Sequence, residues 1–344
     1  MVQSEMLHDG IKKVLVTGAS GFVGGHVLRI LKDHGLRPTA LLREGSSVAT
    51  LDSGSFDVRR GSLSNRESLQ EAVRDMDAVI HVAGVVSAPS REGFFEHNAE
   101  GTRRLLEAIQ QSNPGLKRLV YVSSLAAVGP TLGGVPRSED DPPRVVSAYG
   151  ESKRAGEKYV REFASSIPSL IVRPPLVYGP YDRGVLTIAR TVARGWMPLL
   201  PSEPAVRSKA YSQIYGEDLA RGIVVMTLSK AQGWSSGEAF FLSGREIVTQ
   251  EEIFQTMASA LGKRLRRVQI PAWALRGAAH GLKAVGAMTR KSYPLNPDKL
   301  AELLAPAWTC SPERASRVFG IEATTSFAAG IQATMDWYSL KGWL

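Results

Sequence analysis

The chain has 344 residues, 43% apolar and 22% charged, enough to bury a large core in one big domain or two smaller ones. One cysteine, Cys310, excludes an intramolecular disulfide and points to a reducing compartment, and the six histidines stand at no metal-ligand spacing with acids or cysteine. Lysine and arginine total 42 against 33 acids, a net charge of +9, but outside Lys263, Arg264, Arg266 and Arg267 the basic residues are scattered and no nucleic-acid-binding pattern accompanies them. A basic surface that binds no nucleic acid is the expectation. The segment 1–10 lacks the apolar stretch of a signal peptide, and no run of about 20 apolar residues predicts a membrane span, so a cytoplasmic protein is expected.

In chain order, Lys12 to Thr17 is a short apolar run that ends in glycines, as a buried parallel strand does. Gly18-Ala-Ser-Gly21-Phe-Val-Gly24 follows, and then a helical pattern through Val27, Leu28 and Leu31. Further strands are expected at Thr39–Leu42, Ala78–Val82, Leu119–Val122 and Leu170–Val172, with helices over Arg66–Val73, Ala99–Gln111 and Ser147–Phe163. This alternation predicts an α/β fold with a doubly wound parallel sheet.

Glycines in a strand–turn–helix let the backbone turn tightly and approach a pyrophosphate, whose charge the helix N-terminus stabilises. The spacing here is GxxGxxG, which predicts a dinucleotide site at Gly18, Gly21 and Gly24. At the end of the second strand an acid suits the ribose 2′-hydroxyl of NAD and an arginine the 2′-phosphate of NADP. Arg43 follows that strand directly and favours NADP, while Glu44 keeps NAD open.

Tyr149 and Lys153 stand four residues apart, one turn on the same face of a predicted helix. A phenol ionises near pH 10; bringing it to about 7 takes roughly 4 kcal/mol of preferential stabilisation of the phenolate, which a neighbouring ammonium favours. Such a pair handles the proton of an alcohol oxygen, although the same spacing also decorates solvated helix faces.

The ordered motifs Thr17-Gly-Ala-Ser-Gly-Phe-Val-Gly24, His81-Val-Ala-Gly84, Asn98-Ala-Glu-Gly-Thr102, Val122-Ser-Ser124, Tyr149-Gly-Glu-Ser-Lys153 and Arg173-Pro-Pro-Leu-Val-Tyr-Gly-Pro180 resemble the extended short-chain dehydrogenase/reductase family, the NAD-dependent epimerase/dehydratase group. The likeness runs from about Lys12 to the C-terminus. It implies a Rossmann domain over 11–173 and about 209–228, and a smaller, mainly C-terminal substrate domain over about 174–208 and 229–344. It implies Tyr149 as general acid/base and Lys153 as the residue that binds the nicotinamide ribose and lowers the Tyr149 pKa. A serine after the fourth strand of this series would hold the substrate oxygen; Ser124 is favoured, with Ser123 nearer the cofactor, and a strand-end serine capping a turn is the simpler reading of either. It also implies cofactor contacts from Phe22 and Val23 in the glycine loop, from Ala83 and Gly84, and from Pro174 to Val177. Asn98 is either part of this site or a local helix cap.

Departures narrow the expectation. Gly61-Ser62-Leu63 replaces the family's Gly-Asp-Leu, so Ser62 and Leu63 would face the adenine with a weaker grip. Leu176 and Tyr211 occupy positions where sugar-nucleotide epimerases carry an asparagine and an arginine for the substrate diphosphate, and Ser124-Leu-Ala replaces the dehydratases' Thr-Asp-Glu. The expected activity is therefore an NAD(P)(H)-dependent interconversion of a secondary alcohol and a ketone on a lipophilic molecule, as in the 3β-hydroxysteroid dehydrogenase and dihydroflavonol reductase branches. A nucleotide-sugar 4-epimerase with tightly held NAD is the alternative, and a cofactor-sensing scaffold is a third class that has no need of Ser124, Tyr149 and Lys153 together. The family also implies a homodimer. Segment 270–288, with Leu275, Ala278, Leu282 and Val285 on one face and Arg276, His280, Lys283 and Arg290 elsewhere, predicts an amphipathic helix after the basic cluster. It fits a helix packed on the substrate domain or, more sharply, a lid over an apolar substrate in which 263–290 touches an anionic membrane.

Overall fold

The structure is a computed structural model that describes residues 10–46, 54–131, 134–201, 209–289 and 297–344, with backbone alone for 283–289 and 297. The expectations for segment 1–9 and for the side chains of Lys283, Val285 and Arg290 lie outside the described residues.

Strands β1 (Val14–Thr17), β2 (Thr39–Leu42) and β3 (Asp57–Arg60) alternate with helices α1 (Phe22–Asp33) and, after β3, α2 (Arg66–Val73). Next come β4 (Ala78–His81), α3 (Arg91–Phe95), a π-helical turn (Glu96–Glu100), α4 (Gly101–Ser112), β5 (Arg118–Val122), a 3-10 turn (Leu125–Ala127), α5 (Ala148–Glu162) and β6 (Ser169–Arg173). The second part of the chain forms β7 (Leu176–Tyr178), α6 (Gly184–Ala193), β8 (Trp196–Leu199), β9 (Ala210–Tyr215), α7 (Gly216–Leu228), β10 (Glu238–Phe241), β11 (Ile247–Thr249), α8 (Gln250–Ala260) and β12 (Arg266–Gln269). It closes with α9 (Ala272–Thr289), α10 (Pro297–Leu304), β13 (Ala307–Trp308), α11 (Glu313–Phe319) and α12 (Phe327–Leu340).

The main sheet has seven strands in the order β10-β6-β5-β4-β1-β2-β3, every pairing parallel. This is the expected doubly wound Rossmann order, in which ligands bind beyond the strand C-termini where the order reverses, here between β1 and β4. Helices cover both faces, so β1, β2, β4, β5 and β6 are buried at every position. Alternation splits each strand between two cores. Val14, Val16, Val120 and Val122 pack with α1 and α7, whereas Leu15, Leu119 and Tyr121 pack with α2, α4 and α5. Edge strand β3 carries Asp57, Arg59 and Arg60 and is largely exposed, a polar composition that hides it from apolar periodicity and discourages further pairing.

The expected division of the chain differs in two places. β9, assigned to the Rossmann part, pairs instead with β7, β11 and β13 in a separate sheet, while α7 behind it packs on α1. Strand β10, assigned to the substrate part, adds to β6 at the edge of the main sheet, and Ala315 and Phe319 of α11 enter the core behind it. Phe240 is wholly buried there and Phe241 on the opposite face with Leu125, Val128 and Cys310, and this burial outweighs the sequence distance from β6. A third core joins α6, α8 and α12 around Tyr178, Phe254, Met335 and Tyr338. Among the described residues, no helix is long and apolar enough to cross a membrane.

Candidate active site

Gly18 has φ +68, and a Cβ there would lie 2.7 Å from the Ala83 nitrogen; one at Gly24 would lie 2.2 Å from the Gly18 carbonyl oxygen. Only glycine permits the loop after β1 to press on the backbone after β4 while α1 starts directly above it. α1 opens at Gly21 with no side-chain cap and no acid in its first turn, so the amides at Phe22, Val23 and Gly24 are oriented for an anion. A dinucleotide pyrophosphate fits this donor set. Ala83 is anchored by its amide on the Thr17 hydroxyl at 3.2 Å, and Thr17 in turn bonds His81 Nδ1 at 2.7 Å. His81 Nε2 meets the Thr102 hydroxyl at 3.0 Å. Burial, with the Lys153 charge nearby, pushes His81 down to about 3, so the ring is neutral and serves as a fixed strut.

At the other end of the loop, Gly84 faces Lys153 and Asn98: a Cβ on it would lie 3.5 Å from Lys153 Nζ and 2.9 Å from Asn98 Oδ1. Asn98 sits buried within the π-helical turn rather than at a helix cap. Its amide accepts from Val85 N at 2.8 Å and donates to Val85 O at 3.0 Å and Ser152 Oγ at 2.9 Å, while Ser152 donates to the Tyr149 carbonyl at 2.7 Å. The loop after β4 is thereby tied to α5.

α5 places Tyr149 in its first turn. Its cap, Ser147, accepts from Gly150 N and donates to Glu302 Oε1 at 2.6 Å, and Ala148 N donates to Asp298 Oδ1. Both acids come from α10, so a distant helix supplies the negative charge that the N-terminus of α5 favours. A Cβ on Gly150 would lie 2.3 Å from the Ala126 carbonyl oxygen, so the helix can rest on the turn after β5 only with glycine next to Tyr149. That contact brings Ser124 to the phenol. Ser124 is extended (φ -163, ψ 153), accepts from Ala126 N at 3.1 Å as the cap of its turn, and sets its hydroxyl near the Tyr149 phenol, where it favours the phenolate.

Lys153 is buried, donates from Nζ to the Val122 carbonyl at 2.7 Å and lies 4.7 Å from the centre of the Tyr121 ring. Burial lowers its pKa to about 8 against the opposing charge of Glu157. Tyr149 departs from the expected lowering: burial pushes it up to about 12, the Ser124 hydrogen bond opposes this, and the Glu302 charge adds to it. The protein's own groups thus keep the phenol protonated at neutral pH.

Ser123 also departs from expectation. Successive extended residues face opposite ways, and its hydroxyl donates to the buried Glu157 at 2.7 Å instead of turning to the cofactor loop. Arg173 grips the same carboxylate at 2.8 and 2.7 Å. Burial alone would raise Glu157, but Arg173, Arg161 and Ser123 hold it below the usual carboxylate range. Sequence patterns carry no sign of this cluster, because it joins β5, α5 and β6 across the sheet.

At the far end of the sheet Arg43 is exposed directly after β2, and Arg60, at the end of β3, donates to its carbonyl at 3.2 Å. The sequence offered no reason to single out Arg60, since only the Leu42–Arg60 register brings the two arginines together. Ser62 and Leu63 follow β3; the Ser62 hydroxyl shares a hydrogen bond with Ser64 at 2.9 Å, and Leu63 packs on the core beneath α4. Pro174 gives its carbonyl to Leu125 N at 2.9 Å beside Ser124, and Val177 packs against the main core. Leu176 and Tyr211 are partly buried in the third, apolar core, where burial pushes Tyr211 up to about 12.

The model of the NAD dependent epimerase/dehydratase family matches residues 14–240. The chain is 31% identical to a ceramide reductase of Caulobacter vibrioides, covering 98% of both chains. It is 27% identical to sterol demethylase protein B of Methylococcus capsulatus over 95% of this chain and 98% of that one. Among solved structures, the UDP-glucose 4-epimerase of Thermus thermophilus in complex with NAD superposes with a TM-score of 0.74 at 25% identity, covering 95% of this chain and 99% of that one. The chain belongs to the NAD-dependent epimerase/dehydratase family, and it is an oxidoreductase.

Proposed function

We propose that the protein interconverts a secondary alcohol and a ketone on a lipophilic small molecule with NADP(H), Tyr149 serving as general acid/base. The observation that carries this reading is the placing of Ser124 by the Tyr149 phenol, with Lys153 one turn along α5 facing the Gly84 loop on which the glycine loop rests. A bound nicotinamide supplies or accepts the hydride. Ser124 holds the substrate oxygen, and Tyr149, protonated at neutral pH, gives its proton to that oxygen as the carbonyl carbon is reduced. Lys153 holds the ribose and keeps positive charge near the site below about pH 8. Arg43, with Arg60 beside it, suits a 2′-phosphate.

Lipophilic substrates are supported by the ceramide and sterol names of the relatives and by the apolar setting of Leu176 and Tyr211. The structural likeness to a UDP-glucose 4-epimerase favours the alternative, a nucleotide-sugar 4-epimerase with tightly held NAD. A rate panel separates the two. Purified protein is assayed with NADPH or NADH against sphingoid, sterol and flavonoid ketones, and separately with UDP-sugars. The expected outcome is oxidation of NADPH by a lipophilic ketone, with Arg43→Ala weakening NADPH binding about 10- to 100-fold and leaving NADH unchanged. Epimerised UDP-sugar without net redox contradicts the reading.

A further inference from the structure

Strands β8 and β12 form a ribbon in which β12 is exposed along its whole length and only β8 turns side chains toward the core. Their parallel register pairs Arg266 with Trp196 and Val268 with Pro198, so these side chains share a face, while Met197 and Leu199 pack into the third core behind it. On the outer face Trp196 is 44% and Val268 41% exposed, and the Arg266 guanidinium stands over the Trp196 ring at 6.0 Å. α9 follows at once. Leu275 and Ala279 are its buried stripe, packed with Leu300 of α10, and Ala278, expected on that stripe, is exposed instead. Trp273, Arg276 and His280 form its outer stripe, with Trp273 76% exposed.

Arg194, Lys263 and Arg264 are exposed around this ribbon, and the Gly195 turn lies against the Arg264 carbonyl. Arg267 is paired with Glu251; Arg194, Lys263, Arg264, Arg266 and Arg276 have no ion-pair partner among the described residues. Two exposed tryptophans and an exposed valine on consecutive elements, with unpaired cations on those elements and their flanking turns, are costly for a self-contained surface, and they suit the boundary of an anionic bilayer.

We propose that the outer face of β8, β12 and the first turns of α9 docks on an anionic phospholipid surface. Trp196, Val268 and Trp273 enter the headgroup layer, and Arg194, Lys263, Arg264, Arg266 and Arg276 meet its phosphates. Charge complementarity commits the occupant. The inference stands apart from the alcohol–ketone reading, since neither Tyr149 nor the cofactor loop contributes to it.

The test is cosedimentation of the full chain with vesicles of phosphatidylcholine alone and of phosphatidylcholine mixed with phosphatidylglycerol. Binding is expected only to the mixed vesicles and is lost in high salt. Arg264→Ala with Arg266→Ala weakens it about 25-fold, at roughly fivefold per basic side chain. Trp273→Ala also weakens it, at unchanged thermal stability, and the control pair Arg74→Ala with Lys230→Ala does not. No vesicle binding, equal binding to neutral vesicles, or equal loss in the control pair overturns the proposal. So does a self-associated protein that Trp273→Ala dissociates without lipid, or capture of duplex DNA by the same residues in place of vesicles.

Discussion

Glu302, from α10, is the charge that acts on the Tyr149 phenol, while Lys153 points its ammonium at the Val122 carbonyl. A sequence gives the spacing of Tyr149 and Lys153 but not the direction of either side chain, and it does not reveal an acid 153 positions further on. The same blindness covers Ser123, whose partner Glu157 is 34 residues away, and Arg60, which reaches Arg43 only through strand register. Buried single residues also set the acid stability. His26 is lowered to about 4 by burial and by Arg29, against the hydrogen bond it donates to the Pro180 carbonyl, and His81 to about 3. Both lie below the unfolded value of about 6.5, so the unfolded chain binds the extra protons in between. The stability is complete above about pH 6.5 and declines as pH falls toward the folded values, by about 1.4 kcal/mol per pH unit for each histidine. The melting temperature is expected to drop between pH 6.5 and 4.5, and less steeply in His26→Gln. A flat profile, or an equal slope in the variant, contradicts this.

At the scale of elements, the apolar strands β1, β2, β4, β5 and β6 were legible because full burial leaves unbroken apolar runs. Edge strand β3, polar and exposed, was not, and β10 became readable only through its partner β6. The glycine loop and α5 were legible for a different reason: Gly18, Gly24 and Gly150 mark places where another backbone passes too closely for a Cβ. The hidden joint of this region is Glu157, which fastens α5 to Ser123 beyond β5 and to Arg173 on β6. Its partner Arg173 is buried, and removing the negative charge takes away the carboxylate that grips that guanidinium through two hydrogen bonds. Glu157→Gln, which keeps size and shape, is expected to destabilise the fold by about 3–5 kcal/mol, measured by urea unfolding. An unchanged midpoint means that the cluster does not hold these elements together.

Across the whole molecule, the chain crosses between its main sheet and the sheet around β9 more often than sequence patterns indicate. β9 leaves the main sheet, β10 returns to it, and α10 comes back to cap the helix that carries Tyr149. The start of α5 is thereby held by contacts that span up to 155 residues of sequence, which explains why its motif was legible and its surroundings were not. Among the described residues, aromatic and basic side chains of β8, β12 and α9 stand exposed, on elements separate from those that carry Tyr149 and Ser124.

In the proposed reaction Tyr149 moves the proton while the cofactor is bound independently of its hydroxyl. Tyr149→Phe tests it, with turnover of a lipophilic ketone and NADPH affinity measured on the same preparation. The expected result is a fall in kcat of about 10²- to 10⁴-fold with the NADPH dissociation constant essentially unchanged. Undiminished turnover in Tyr149→Phe contradicts the mechanism.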